Sequence, residues 1–314
     1  VSEPLDGLLS LLRCPLCRNV LTRRERAVCC PARHSFDLSR QGYLNLVVGH
    51  GSHRSADTPG MVAARARFLD SFAFEPILAA VADQAEFAAA AAGEPPTATM
   101  PTVAVPTATV PTATAAAPTR DGPGPVVLDV AAGTGHYLAR VLDRLPNWRG
   151  LAVELSAPAL RRAARVHPRA AAVGADAWQR LPLADDAVAL ALSIFGPRAP
   201  AELARVLRPG GGLVTVTPLP LHLRELAEPL GLLGIEADKQ DRLRDRLGSI
   251  AELSDAREVV TAVELSRDQV HDVAAMGPSA RHHGAAELAA RVAVLPATTT
   301  VTVAVQVARY RTLG

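Results

Sequence analysis

A doubly wound α/β sheet behind a small metal-binding module is the fold class that the sequence predicts, and three stretches predict it. The first is Val126 to Val130 (VVLDV), a short apolar run rich in β-branched residues that suits a central parallel strand. It leads into Ala131-Ala132-Gly133-Thr134-Gly135-His136 and then into apolar residues at helical spacing, Leu138, Val141, Leu142 and Leu145. Strand, glycine turn and helix is how such a fold opens a nucleotide pocket. The second is Cys14-Pro15-Leu16-Cys17, followed after twelve residues by Cys30 and after three more by His34. That spacing presents thiolates and an imidazole to one ion. The third is a helix over Glu202 to Leu207, a turn at Arg208-Pro209-Gly210-Gly211-Gly212, and a strand over Leu213 to Thr217.

The form of the glycine turn narrows its ligand. A dinucleotide fingerprint reads G-x-G-x-x-G. Here Asp129 is followed by x-A-x-G-x-G, the form used by S-adenosylmethionine (SAM) methyltransferases, whose ligand has no pyrophosphate. Gly133 and Gly135 permit a tight turn and close approach of a ligand to the backbone. Ala131 stands where the usual pattern has its first glycine. The next strand, Gly150 to Val153, ends on Glu154, 25 residues after Asp129, where an acid can accept both ribose hydroxyls. The competing reading is a bare Rossmann-like turn with another nucleotide or none. The helix, Pro-Gly-Gly turn and fifth strand favour the class I SAM-dependent methyltransferase (Rossmann-like) fold.

Composition excludes several functions. The 314 residues suffice for one large or two modest domains, and 49% hydrophobic content is ample for a core. A net charge of +2 is no polybasic signature, so any nucleic-acid contact must come from a local patch. No long uncharged apolar run marks a membrane span, and no basic-then-apolar leader opens the sequence. All four cysteines fall within residues 14 to 30, which reads as metal binding in a reducing, cytoplasmic setting rather than as disulfides.

In chain order, residues 1 to 12 form an amphipathic lead-in. The Cys14/Cys17 knuckle and a second knuckle at Cys30/His34 would close a tetrahedral, structural zinc site, with Leu21 to Val28 as the hairpin between them. Cys29 competes for the third position. Cys30 is preferred because Pro31 follows it as Pro15 follows Cys14. A redox Cys-x-x-Cys with an unrelated His is the alternative. Ser35 to Leu46 reads as strand and turn closing a module over 1–50, and residues 49 to 57 as loop. Residues 51–92 form a helical connection. Thr58-Pro59 starts a helix to Asp70, whose Arg65 and Arg67 either meet phosphates or, as the default, lie on a solvated face. Phe74-Glu75-Pro76 opens another helix to Ala92.

Residues 93–125 are an Ala/Thr/Pro linker of low complexity, with VPTAT at 105–109 and again at 110–114. The methyltransferase domain spans 126–314. After Glu154, Pro158 to Val166 is helical and carries Arg161, Arg162 and Arg165. Ala171 to Asp176 is the third strand, and Asp176 is placed to meet an adenine amino group. Val188 to Ile194 is the fourth, and Ser193-Ile194-Phe195-Gly196-Pro197 lies at its carboxyl end, where open α/β sheets place their crevice. Pro218 to His222 departs over the pocket. Residues 223 to 251 read as charged helix, and Val259 to Leu265 and Thr298 to Ala308 as the last two strands. His282-His283 reads as a loop pair.

These motifs together resemble one family. The order CPLC (14–17), CPARHSFD (30–37), QGYLNL (41–46), MVAARARFLDS (61–71), LDVAAGTGH (128–136) and ELARVLRPGG (202–211) is similar to the 23S rRNA (guanine-N1)-methyltransferases of RlmA type along nearly the whole chain. RRAARVHPRA (161–170) and AMGPS (275–279) look most like its Gram-positive branch, which includes the tylosin-resistance methyltransferase TlrB. The resemblance implies one zinc held by Cys14, Cys17, Cys30 and His34. It implies SAM contacts from Phe74, Thr134, Gly135, Glu154, Asp176 and His222. With the turn and strand-end residues Asp129, Ala131, Gly133, Leu155 and Ser193, these form the expected cofactor site. Phe74 replaces a Tyr, Ala131 a Gly and Glu154 an Asp found in relatives. The implied partners are a 23S rRNA hairpin in domain II near the peptide exit tunnel and a second copy of the chain.

Positioning the acceptor nitrogen against the electrophilic sulfonium methyl should supply most of the rate. The N1 proton of guanine must also leave, and the sequence names no base for it. Phe195 either stacks on the guanine or belongs to the core. Two rivals stand: a small-molecule methyltransferase, whose substrate needs no zinc module, and a non-catalytic zinc-ribbon RNA-binding protein, which needs no Asp129, Glu154 or Asp176.

Overall fold

The computed structural model describes residues 3–49, 56–93, 124–196, 199–232, 239–277, 280 and 284–313. The lead-in forms α1 (Glu3–Asp6) and a 3-10 turn at Leu9–Leu11. The ribbon follows as β1 (Thr22–Arg24), β2 (Ala27–Cys29) and β3 (Ser35–Asp37), a three-stranded antiparallel sheet in the order β1-β2-β3. β4 (Leu44–Asn45) leaves the ribbon and pairs in parallel with a strand of the large sheet. Helices α2 (Pro59–Asp70) and α3 (Glu75–Ala91) come next, and the Thr58 hydroxyl caps α2 by accepting from the Met61 amide. Nearly all of the low-complexity stretch, and His282-His283, lie outside the described residues.

The large sheet is built from β5 (Val126–Val130), β6 (Arg149–Glu154), β7 (Ala170–Gly174), β8 (Val188–Ile194), β9 (Leu207–Pro218), β10 (Ala251–Ser266) and β11 (Thr298–Thr312). With β4 at one edge its order is β10-β11-β9-β8-β5-β6-β7-β4. β4 to β9 run parallel, while β11 is antiparallel to both β9 and β10. The connecting helices are α4 (His136–Arg144), α5 (Ala157–Ala163), α6 (Pro200–Val206), α7 (Arg224–Leu230), α8 (Lys239–Gly248), α9 (Arg267–Ala275) and α10 (Ala285–Ala293).

Alternation along β5 sends its side chains to two layers. Val127 joins a core with Phe68, Ile77, Val81, Leu138, Leu160, Leu226 and Val270, from α2, α3, α4, α5, α7 and α9. Val126, Leu128 and Val130 join a second core with Leu203 and Leu247 of α6 and α8. That second core also holds Leu5, Leu8, Leu12, Val28, Leu44 and Leu46, so the amino-terminal module covers one face of the sheet. Backbone bonds tie the two together: Arg13 N–H donates to the Pro182 carbonyl at 2.9 Å and Ala184 N–H to that of Leu11 at 2.8 Å.

Several expected boundaries are corrected, the turn expected at Arg208 to Gly212 among them, which lies within β9. Residues 223 to 251 do not form a single charged helix: α7 and α8 are separate, and the strand expected from Val259 begins at Ala251. The stretch AELSDARE has little β-branching, and its pairing with β11 from Ala251 to Ser266 decides its conformation. The third strand ends at Gly174, which leaves Asp176 two residues beyond it.

Candidate cofactor site and metal centre

The strand order reverses at β5, which has β6 on one side and β8 on the other. In doubly wound sheets the ligand crevice lies outside the carboxyl ends of the strands at such a point. The turn after β5 is held by Ala132 N–H bonding to Val153 O at 3.1 Å and Gly135 N–H to Ala132 O at 2.9 Å. Gly133 and Gly135 have φ of +56° and +84°, which explains the two glycines. Ala131 also has positive φ, +58°. An L-residue there is strained by roughly 1–2 kcal/mol, while glycine would forfeit about 0.5–1 kcal/mol of chain entropy. Ala131→Gly is therefore expected to stabilise the protein by about 0.5–1 kcal/mol, read as a higher urea midpoint at unchanged slope. A lower midpoint would show that the methyl group packs to more advantage than the turn strains.

The acids at the strand ends take different environments. The Glu154 carboxylate accepts three backbone N–H groups, from Gly133, Leu155 and Ser156, each at 2.8 Å. It thus fastens the first turn to the second strand end, a reach that the extra methylene of Glu over Asp assists. Asp129 is buried, and its Oδ2 has no hydrogen-bond partner. Burial, with Glu154 nearby, pushes its carboxyl up to about 8. Asp176 is half-buried, and its Oδ1 accepts from Trp178 N–H at 2.9 Å. Ser193 is fully buried within β8.

Aromatic rings gather beyond the carboxyl end of β8. Phe74, buried at the start of α3, meets Phe68 edge-on at 4.7 Å and faces His222 at 5.6 Å. His222 stacks on Phe195 at 5.9 Å. Its Nδ1 accepts from Ala304 N–H at 3.2 Å, which places its own proton on Nε2, and burial lowers its pKa to about 4. It is a neutral hydrogen-bond donor at pH 7, not a base at Nδ1. Phe195 is 40% exposed with φ of +53°, a rim residue rather than core.

Several contacts around the turn were not legible in the sequence. Ser156 caps α5 and donates its hydroxyl to Asp57 O at 2.7 Å. Asp57 pairs with Arg65 at 2.6 Å, and Arg65 lies against Gly133 and donates to Met276 O at 3.1 Å. Arg67 pairs in a fork with Asp272. Both arginines of α2 thus pair within the protein, Arg65 part-buried and Arg67 on an exposed face as expected. His136 bridges the Thr134 hydroxyl at 2.8 Å and Asp70 at 3.0 Å. The pairings of Ser156 with Asp57, Arg67 with Asp272 and His136 with Asp70 join residues 99, 205 and 66 positions apart, so no sequence signal finds them.

At the metal centre, the donor atoms of Cys14, Cys17, Cys30 and His34 lie within 4.8 Å of one another. Cys14 and Cys30 Sγ are 3.5 and 3.4 Å from His34 Nδ1, and Cys17 Sγ is 3.5 Å from Cys30 Sγ. A tetrahedral zinc with bonds near 2.3 Å needs ligand separations of about 3.8 Å, so the set fits zinc with little adjustment. Cys29 points to Ser35 Oγ and stays out of the cluster, which settles the third position. The Asn19 amide holds the Cys17 thiol below its usual range, whereas burial pushes that of Cys14 up. With four protein ligands the centre is closed and structural. Arg18, inside the first knuckle, donates to Leu181 O and Leu183 O at 3.1 and 2.7 Å and joins it to the catalytic domain.

A Rossmann-like sheet with its crevice at the β5/β8 reversal, carrying a closed Cys3His centre on one face, defines a SAM-dependent methyltransferase with an amino-terminal zinc ribbon. Profiles of known families agree: that of the RlmA amino-terminal zinc ribbon matches residues 12–50 and that of a methyltransferase domain residues 127–211. A Micromonospora griseorubida protein provisionally named 23S rRNA (guanine-N1-)-methyltransferase is 43% identical over 318 aligned positions, covering 97% of this chain and 98% of that one. The 23S rRNA (guanine(748)-N1)-methyltransferase of Streptomyces fradiae is 41% identical, covering 95% and 96%. The chain belongs to the 23S rRNA (guanine-N1)-methyltransferase family. A ubiquinone/menaquinone biosynthesis C-methyltransferase of Paracoccus denitrificans is 32% identical but covers only 51% of the chain.

Proposed function

We propose that the chain transfers the methyl group of SAM to N1 of a guanine in a domain II hairpin of 23S rRNA near the peptide exit tunnel, and thereby contributes to resistance against tylosin-type macrolides. The observation that carries this reading is end-to-end similarity to two such enzymes, zinc ribbon included. A small-molecule substrate would leave the ribbon without a role, and similarity to the quinone enzyme spans half the chain. The reading includes a cytoplasmic setting and a homodimer. No helix among the described residues is long and apolar enough to cross a membrane.

Bound SAM supplies an electrophilic methyl group. The chain's own residues bind and orient. Gly133, Thr134 and Gly135 let the cofactor approach the backbone, with Ala131, Leu155 and Ser193 shaping the turn and strand ends. Glu154 retains an acceptor position on Oε2 for a ribose hydroxyl, Asp176 serves the adenine end, and Phe74 and His222 close the crevice. Asp129, a buried carboxyl with an orphan oxygen, suits the cofactor's cationic end. Its raised pKa works against the folded state as pH rises: its contribution is full below about 4 and is lost as pH climbs through about 8. A bound cation reverses this by ionising the group. Cofactor binding at pH 7 is therefore expected to release close to one proton, measured by calorimetry in buffers of different ionisation enthalpy, and Asp129→Asn should abolish the release. Equal heats in all buffers would remove Asp129 from the cofactor's partners. Phe195, at the rim, is placed to stack on the guanine, which must leave its own stack to reach the methyl. Incubating the protein with SAM and a domain II transcript, then identifying nucleosides by mass spectrometry, should yield 1-methylguanosine. Methylation of another nucleoside would refute the assignment.

A further inference from the structure

Phe72 occupies a backbone position that a phenylalanine fits poorly. Helix α2 ends at Asp70, and Ser71 is its C-cap with helical dihedrals. Phe72 follows with φ of +61°, its N–H bonded to Leu69 O at 3.3 Å and its carbonyl to Glu75 N–H at 2.9 Å. This is the left-handed position after a helix, ordinarily glycine. The side chain is also 71% exposed. The ring adds little burial to the fold, and backbone strain of this kind gathers where a ligand is held.

Its neighbours locate it. Two residues on, Phe74 faces His222 in the crevice, and His222 stacks on Phe195. Two residues back, Asp70 binds His136, which holds Thr134 of the glycine turn. Phe72 therefore stands outward on the turn whose flanks anchor both sides of the cofactor crevice. Phe195 is a second phenylalanine there with positive φ and an exposed ring. Proteins that hold unpaired RNA stack its bases on such rings.

We propose that Phe72 is a stacking platform for an unpaired base of the substrate RNA adjacent to the target guanine, a positioning residue for methyl transfer. This rests on the rRNA substrate proposed above. The test compares wild type with Phe72→Gly and Phe72→Trp on a domain II transcript of 23S rRNA. Phe72→Gly relieves the strain, so its melting temperature should rise and its affinity for SAM should not change. Its kcat/KM for the transcript should nevertheless fall about 5- to 100-fold, chiefly through KM, the range that one base–aromatic stack supports. Phe72→Trp should retain most of the activity. Unchanged RNA kinetics in Phe72→Gly, or a loss shared equally with SAM affinity, would overturn the proposal while leaving the rRNA reading intact. Wild-type protein that methylates no guanine in the transcript would overturn both.

Discussion

Gly135→Arg is expected to abolish SAM binding, with an affinity loss beyond about 100-fold, while the protein still carries one zinc per chain. The backbone reason is a φ of +84°, which strains any side chain by roughly 1–2 kcal/mol. The steric reason is larger. A Cβ at this position would lie 2.9 Å from Val166 Cγ1 and 3.3 Å from Ala163 Cα, so it meets α5 rather than open space. An arginine must push the glycine turn away from that helix. Doing so breaks the bonds that form it, Gly135 N–H to Ala132 O and Ala139 N–H to Gly135 O. It also disturbs Gly133, whose amide is fixed on Glu154. The zinc ligands belong to the module on the other core and should be untouched. Calorimetric titration with SAM and metal analysis read the two halves of the prediction. Normal SAM affinity would remove the turn from the cofactor site.

Removal of zinc should have the larger effect on stability. Apart from Val28 and Leu21, the ribbon buries little apolar surface of its own, and its strands are only three residues long. Structural zinc sites of this kind contribute on the order of 10 kcal/mol of apparent binding free energy, which is folding free energy when the site does not pre-exist. Chelation, or Cys17→Ala, should unfold the ribbon and open residues 13 to 40 to proteolysis. Because Arg18 of the knuckle grips Leu181 and Leu183, the damage should spread to the turn after Asp176 and weaken SAM binding several-fold without abolishing it. Cys29→Ser, outside the cluster, should change neither zinc content nor melting temperature. Metal-free protein with an unaltered ribbon would show that the four ligands are not what holds it.

The sheet, its glycine turn and the Cys/His cluster were legible where chemistry is local. Val126 to Gly135 is read from apolar run, glycine spacing and acid placement, and the zinc ligands from spacing alone, because each obeys constraints within a few residues. The preference for Cys30 over Cys29 rested on the following Pro31 and the spacing to His34, and the cluster agrees with it. The first half of β10, Ala251 to Glu258, escapes a sequence reading because its charged, weakly β-forming residues take their conformation from β11, some fifty positions away. Long sequence separation likewise hides the contacts of Asp57 with Ser156, Arg65 with Gly133 and Asp70 with His136. Positive φ at Ala131, Phe72 and Phe195 is equally invisible, as none of these residue types advertises it.

The most direct measurement is primer extension on 23S rRNA from cells with and without the protein. A methyl group on guanine N1 blocks Watson–Crick pairing and stops reverse transcriptase. A new stop at one guanine of the domain II hairpin beside the exit tunnel, absent in cells expressing Gly135→Arg, is the expected result. Identical extension in the two cell populations, with SAM binding intact in the purified protein, would contradict the assignment of 23S rRNA as the substrate.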